Sequence, residues 1–146
     1  MALAKLAHYS IRTHDLEATR RFYVEVMGLR VGFRPPFNFP GLWLYHGDDE
    51  SEFGVVHVIG VDPSGGAGLA EYLGHRDGEL TGTGALDHIA FLATGWAQMR
   101  QRCRDHAVAF VERTVPSLHL HQVFIADPSG VTIELNYPAG EGQDAP

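Results

Sequence analysis

Two stretches alternate apolar and polar positions in the same order. Leu6-Ala7-His8-Tyr9-Ser10-Ile11 and Leu86-Asp87-His88-Ile89-Ala90-Phe91 both read as opening strands, because neighbouring strand side chains point to opposite faces. A helical period follows the first. Asp15 can cap it, Leu16, Phe22, Tyr23, Val26 and Met27 recur at three- and four-residue steps, and Gly28 is a natural stop. Residues 29–33, 42–46 and 53–59 then read as three short strands, with Pro35-Pro36 breaking the first from the second and Gly47-Asp48-Asp49 turning the second into the third. The second half repeats the order. Thr94 is the expected cap, Trp96, Met99 and Cys103 the buried stripe, and 109–115, 122–126 and 132–137 the strands, the last two joined by Asp127-Pro128-Ser129-Gly130.

Each half is therefore βαβββ. The expected fold is α+β, a single domain of two modules at about 4–60 and 85–138, joined by a glycine-rich linker over 61–84 with one helical turn near 69–73. Residues 139–146 are expected to be a mobile tail.

Superposing the halves puts His8 on His88 and His57 on Glu134. In Val56-His57-Val58 and Ile133-Glu134-Leu135 one polar residue interrupts an aliphatic strand, so His57 and Glu134 face away from the side packed under a helix, as do His8 and His88. A lone strand histidine is usually a hydrogen-bonded structural residue, and Glu134 alone could be a solvated one. Four polar interruptions at equivalent positions of a repeat favour a shared site. Three imidazoles and a carboxylate without a thiolate suit one divalent ion of the Fe, Mn, Ni, Co or Zn kind, with His57 as fourth ligand or nearby base.

The chain of 146 residues carries nine histidines, one cysteine and a formal charge of −7. That charge repels phosphate backbones and acidic membrane surfaces, so neither nucleic acid nor membrane is an expected partner. Cys103 alone forms no internal disulfide, which suits a reducing compartment, and the expected address is the cytoplasm. Of the remaining histidines, His14 and His106 lie at helix ends, His46 and His75 near turns, and His119 and His121 before a strand, either at the surface or within reach of the site as outer donors. The segment Phe37-Asn38-Phe39-Pro40-Gly41-Leu42-Trp43 reads as packing or as a wall of an apolar pocket. Arg12, Arg30, Arg34 and Arg113 are the basic residues that could meet an anionic group.

Over about residues 4–138 the sequence resembles the vicinal oxygen chelate superfamily, which includes glyoxalase I, methylmalonyl-CoA epimerase, extradiol dioxygenases and bleomycin-resistance proteins. The likeness rests on the Leu86-to-Phe91 segment, on Asp15 to Tyr23 leading to Met27-Gly28-Leu29, and on Phe124 to Leu135. It implies a cupped, half-open eight-stranded barrel with outer helices, and a divalent metal on His8, His88 and Glu134. His57 stands where glyoxalase I has a glutamate. The resemblance further implies a homodimer and a small substrate chelated through adjacent oxygens. The leading expectation is a metal-dependent lyase or isomerase of glyoxalase or epimerase type, acting through a chelated enolate with Glu134 or His57 moving the proton. An Fe(II) extradiol-type dioxygenase is the alternative, and a metal-free ligand-binding or resistance protein the third.

Overall fold

The computed structural model describes residues 2, 6–51, 54–61, 66–73, 81–83 and 86–142. Phe53, His75, positions 62–65, 74–80 and 84 of the expected linker, and 143–146 lie outside the described residues. The chain divides into two compact units, Met1–Leu80 and Thr81–Pro146. Among the described residues no helix is long and apolar enough to cross a membrane.

The first unit contains β1 (Tyr9–Thr13), α1 (Leu16–Arg21) running into a π turn (Phe22–Val26), β2 (Arg30–Val31), β3 (Gly41–Tyr45), β4 (Val56–Gly60) and α2 (Gly66–Leu73). Its sheet has the order β1-β4-β3-β2, with β1 parallel to β4 and the other pairs antiparallel. Asp15 caps α1 through the Ala18 amide at 2.9 Å, as expected. The helix ends at Gly28, whose φ of +77° suits a residue without Cβ, and the Leu29 amide reaches back to the Tyr23 carbonyl at 2.9 Å. The π turn buries Phe22, Tyr23 and Val26 together, three of the residues on the expected helical stripe; the widening to a π turn is what the period does not foretell. In the linker, α2 spans two turns rather than the single one expected.

The second unit repeats the plan with β5 (Ile89–Leu92), α3 (Trp96–Asp105), β6 (Val111–Val115), β7 (Leu120–Ala126) and β8 (Thr132–Pro138), in the sheet order β5-β8-β7-β6. The α+β class and the two βαβββ modules are those expected. Alternation decides what is buried: Val56 and Val58 in β4, and Ile133, Leu135 and Tyr137 in β8, are almost inaccessible. Burying such side chains contributes roughly 1.5–3 kcal/mol each.

The start of α3 departs from expectation. Its cap is Gly95, in the left-handed region at φ +82°, and not Thr94. Glycine has no side chain to receive the free helix amides, and Glu141 does so instead: its Oε2 accepts from the Gly95 and Trp96 amides at 2.8 and 2.7 Å. Glu141 belongs to a 3-10 turn, Ala139–Gly142, so the segment expected to be a mobile tail starts out ordered against this helix end. A carboxylate at a helix N-terminus satisfies orphan amides and meets the positive end of the dipole. Glu141→Ala should therefore cost about 1 kcal/mol and lower the melting temperature by several degrees. Glu17→Ala, which removes only exposed ion pairs with Arg20 and Arg21, should shift it far less.

Candidate functional site

In the second unit the parallel pairing of β5 with β8 sets Ala90 opposite Glu134. His88, two residues before Ala90, thereby comes to the same carboxylate, with Nε2 3.0 Å from Glu134 Oε2. Its other nitrogen, Nδ1, lies 2.7 Å from Asp87 Oδ2. Glu134 Oε1 accepts from Gln122 Nε2 at 2.9 Å and from Asn136 Nδ2 at 2.7 Å. The same Gln122 nitrogen also donates to Asn136 Oδ1 at 2.9 Å, and Arg113 Nε donates to Gln122 Oε1 at 2.8 Å.

Glu134, Gln122 and Asn136 are all buried. A buried carboxylate is costly unless hydrogen-bonded, and here two amides hold one oxygen and leave the other aimed at His88. The Asp87 hydrogen bond, with a smaller contribution from the Glu134 charge, holds the His88 pKa above its ordinary value.

In the first unit β1 and β4 repeat the register, with Ser10 opposite His57, and Trp43 on β3 flanks His57 from the other side. The His57 ring is sandwiched, 3.9 Å from Trp43 at 3° to its plane and 3.8 Å from the exposed His8 at 17°. Its Nε2 is buried and has no hydrogen-bond partner in the described structure. Burial, then the neighbouring His8, depresses its pKa to about 4, against a hydrogen bond with the Gly54 backbone. Because Nε2 has no partner, that bond falls to Nδ1. A proton on Nδ1 leaves the Nε2 lone pair free, the form in which an imidazole binds a metal.

The stack limits what the two rings can do together. An imidazole lone pair lies in the ring plane, and an ion sits about 2.1 Å from the nitrogen close to that plane. Rings 3.8 Å apart and 17° from parallel do not meet that condition at one ion, so His8 and His57 cannot both be ligands unless the stack opens. His57 is held on both faces, whereas His8 is exposed.

Register also explains why position 57 carries no carboxylate. Trp43 stands opposite His57 as Phe124 stands opposite Glu134, which makes Gly41 the counterpart of Gln122 and Ile59 that of Asn136. A Cβ at Gly41 would collide with the Val58 carbonyl oxygen. Gly41 and Ile59 thus offer no side-chain amide at the two places that hold Glu134 in the second unit, and a neutral ring stacked on tryptophan suits position 57.

The four sequence-predicted residues come together as two pairs, His8 with His57 and His88 with Glu134. Among the described residues no three His, Cys, Asp or Glu side chains form a group able to hold a metal. His121 does not act as an outer donor to this face. It pairs with Tyr137 in the sheet, on the side opposite Gln122, and is buried beside Trp96 with its ring centroid 5.8 Å away. His119 takes up a left-handed turn position at φ +53°, and Cys103 is a buried core residue. In the aromatic segment, Phe37 stacks on Phe39 at 5.3 Å and lies 6.3 Å from Trp43. Asp87 and Gln122 had no assigned role in the sequence. Asp87 is signalled by its place next to His88, and Gln122 by being a lone amide among apolar strand residues.

A family model described as the Glyoxalase/Bleomycin resistance protein/Dioxygenase superfamily matches residues 5–135. No curated protein matches the chain. Solved structures similar in fold include the fosfomycin resistance protein FosX from Listeria monocytogenes, at 14% identity, 96% of this chain and 98% of that one covered, and a TM-score of 0.64. The lactoylglutathione lyase from Agrobacterium tumefaciens is 18% identical, with 97% and 99% covered and a TM-score of 0.61. An antibiotic binding protein from Streptomyces sp. CB03234 is 18% identical, with 94% and 98% covered and a TM-score of 0.60.

The neutral His57 ring leads to a pH prediction for metal-free protein. Its folded pKa of about 4 lies below the unfolded value near 6.5. The contribution is therefore complete above about pH 6.5 and is lost as pH falls toward 4. The urea midpoint of the wild type should drop more steeply over that window than that of His57→Phe, which keeps the stack and removes the titration. Parallel profiles would contradict the assignment.

Proposed function

The chain belongs to the Glyoxalase/Bleomycin resistance protein/Dioxygenase superfamily, and from that membership we propose a metal-dependent enzyme acting on a small molecule with adjacent oxygens, in the manner of a glyoxalase- or epimerase-like lyase or isomerase. The observation that carries the proposal is the His88–Glu134 pair. A histidine Nε2 faces a carboxylate oxygen whose partner oxygen is tied down by Gln122 and Asn136. These are donor atoms oriented by outer hydrogen bonds, as metal ligands are. The buried, unpartnered Nε2 of His57 also suits a metal-binding neighbourhood.

In this reading His8, His88 and Glu134 hold the ion, and the repeat and the family supply the link between the pairs. His57 becomes a fourth ligand only when the stack opens; otherwise it is a neutral ring that orients His8. The ion supplies Lewis acidity toward two adjacent substrate oxygens. Glu134 is the proton carrier, since position 57 lacks the amides a second carboxylate needs. His57, with its low pKa, takes a proton only transiently. A homodimer in the cytoplasm completes the proposal, on the strength of the resemblance and of the single cysteine.

The second reading, an Fe(II) extradiol-type dioxygenase, draws on the same stack. If His57 stays sandwiched, two histidines and one carboxylate remain, the set that leaves positions open for a diol and oxygen. The antibiotic binding relative keeps a metal-free ligand-binding protein as a third.

Protein reconstituted with Fe, Mn, Ni, Co or Zn should hold about one ion per chain. His8→Ala, His88→Ala and Glu134→Ala should abolish this, and Gln122→Leu should weaken it by roughly 10–100-fold. His57→Phe should retain the ion. Failure to bind any of these metals would defeat both enzyme readings. Oxygen-indifferent proton exchange at a carbon next to a carbonyl marks the lyase or isomerase, and oxygen uptake with diols only in the presence of Fe(II) marks the oxygenase.

A further inference from the structure

One polar residue from each strand crosses the second sheet in a row: His88 just before β5, Glu134 on β8, Gln122 on β7 and Arg113 on β6. The registers Ala90 to Glu134, Gln122 to Asn136 and Arg113 to Gln122 put the last three on one face. With strands about 4.8 Å apart, the guanidinium can reach over the sheet toward the carboxylate end.

Two contacts fix its orientation. Nε donates to Gln122 Oε1 at 2.8 Å, and the guanidinium carbon lies 5.3 Å from the centre of the Phe124 ring. The His88 ring meets that same phenyl ring edge-on, at 6.2 Å between centroids. Phe124 therefore forms an apolar floor between the histidine and the guanidinium.

Among the described residues no hydrogen bond engages the two terminal nitrogens of Arg113. Three other arginines are engaged: Arg30 on Glu50 and the Gly47 carbonyl, Arg20 on Glu17, and Arg34 on the Phe39 carbonyl. A guanidinium anchored through Nε presents its remaining N–H groups as a fork, the geometry that pairs with a carboxylate or phosphate oxygen pair. The chain as a whole is negative, so a presented cation on this face is selective for its surroundings.

We propose that Arg113 is a specificity residue that receives an anionic group of the substrate, and that the substrate is a planar or apolar body over Phe124 carrying adjacent oxygens at the His88–Glu134 end and an oxyanion at the Arg113 end. This rests on the function proposed above for the oxygens, but the anion subsite stands on the second unit alone. Gln122 links the two ends, because one amide both positions the guanidinium and holds Glu134.

A matched pair of probes tests this by calorimetry on Zn-loaded protein. Catechol carries only the adjacent oxygens, and 3,4-dihydroxybenzoate adds a carboxylate across the ring. The wild type should bind the benzoate about tenfold more tightly. In Arg113→Gln the two should bind alike, the ratio of the two affinities being compared at equal zinc occupancy. Arg113→Lys, which supplies charge without the fork, should fall between. A ratio near one in the wild type, or a preference that survives Arg113→Gln, overturns the proposal. If the protein takes up no zinc, the metal reading fails by itself. The subsite is then read on metal-free protein with benzoate against benzyl alcohol, where an Arg113-dependent preference sustains the proposal and its absence overturns it.

Discussion

In both units the first strand of the module lies parallel to the last, β1 beside β4 and β5 beside β8. Parallel neighbours cannot be joined by a tight hairpin, so each module needs a helix and two further strands to make the return. The pairing brings the residue before the first strand beside the middle of the last. His8 meets His57 and His88 meets Glu134 for this reason, though 49 and 46 residues separate them in the sequence. Everything chemical in the molecule follows from those two juxtapositions.

The modules have then taken different courses from one register. The second unit placed amides at Gln122 and Asn136 and so can bury a carboxylate with one oxygen free. The first has Gly41 and Ile59 at those places, and it stabilises a neutral ring by stacking between Trp43 and His8. Aromatic contacts of this sort are worth about 0.5–1.5 kcal/mol beyond burial, whereas a carboxylate without donors would cost more than that to bury. The histidine at position 57 fits its surroundings, and Glu134 is the carboxylate to which the proposed function gives the proton transfer.

Periodicity made the elements, the repeat and the shared face of His8 with His57 and of His88 with Glu134 legible, because strand alternation and helix caps are local. Asp15 and Gly28 are examples, each acting within a few residues of itself. The cap of α3 was not legible, since Glu141 lies 46 residues from Gly95 and only the folded unit joins them. His121 was misplaced for a related reason: the strand begins at Leu120, and one position decides which face a side chain takes. The stacking of His8 on His57 is a matter of ring orientation, which no spacing rule carries.

The central proposal is that His88 Nε2 and Glu134 Oε2, in contact at 3.0 Å, are metal ligands that a bound ion would separate. An experimental structure of Mn- or Zn-loaded protein, with the ion located by its anomalous scattering, tests it most directly. The account predicts one ion bound to His88 Nε2 and Glu134 Oε2, with His8 as a further ligand and Gln122 and Asn136 still on Glu134 Oε1. An ion bound elsewhere, with the 3.0 Å contact between His88 and Glu134 intact, would contradict it.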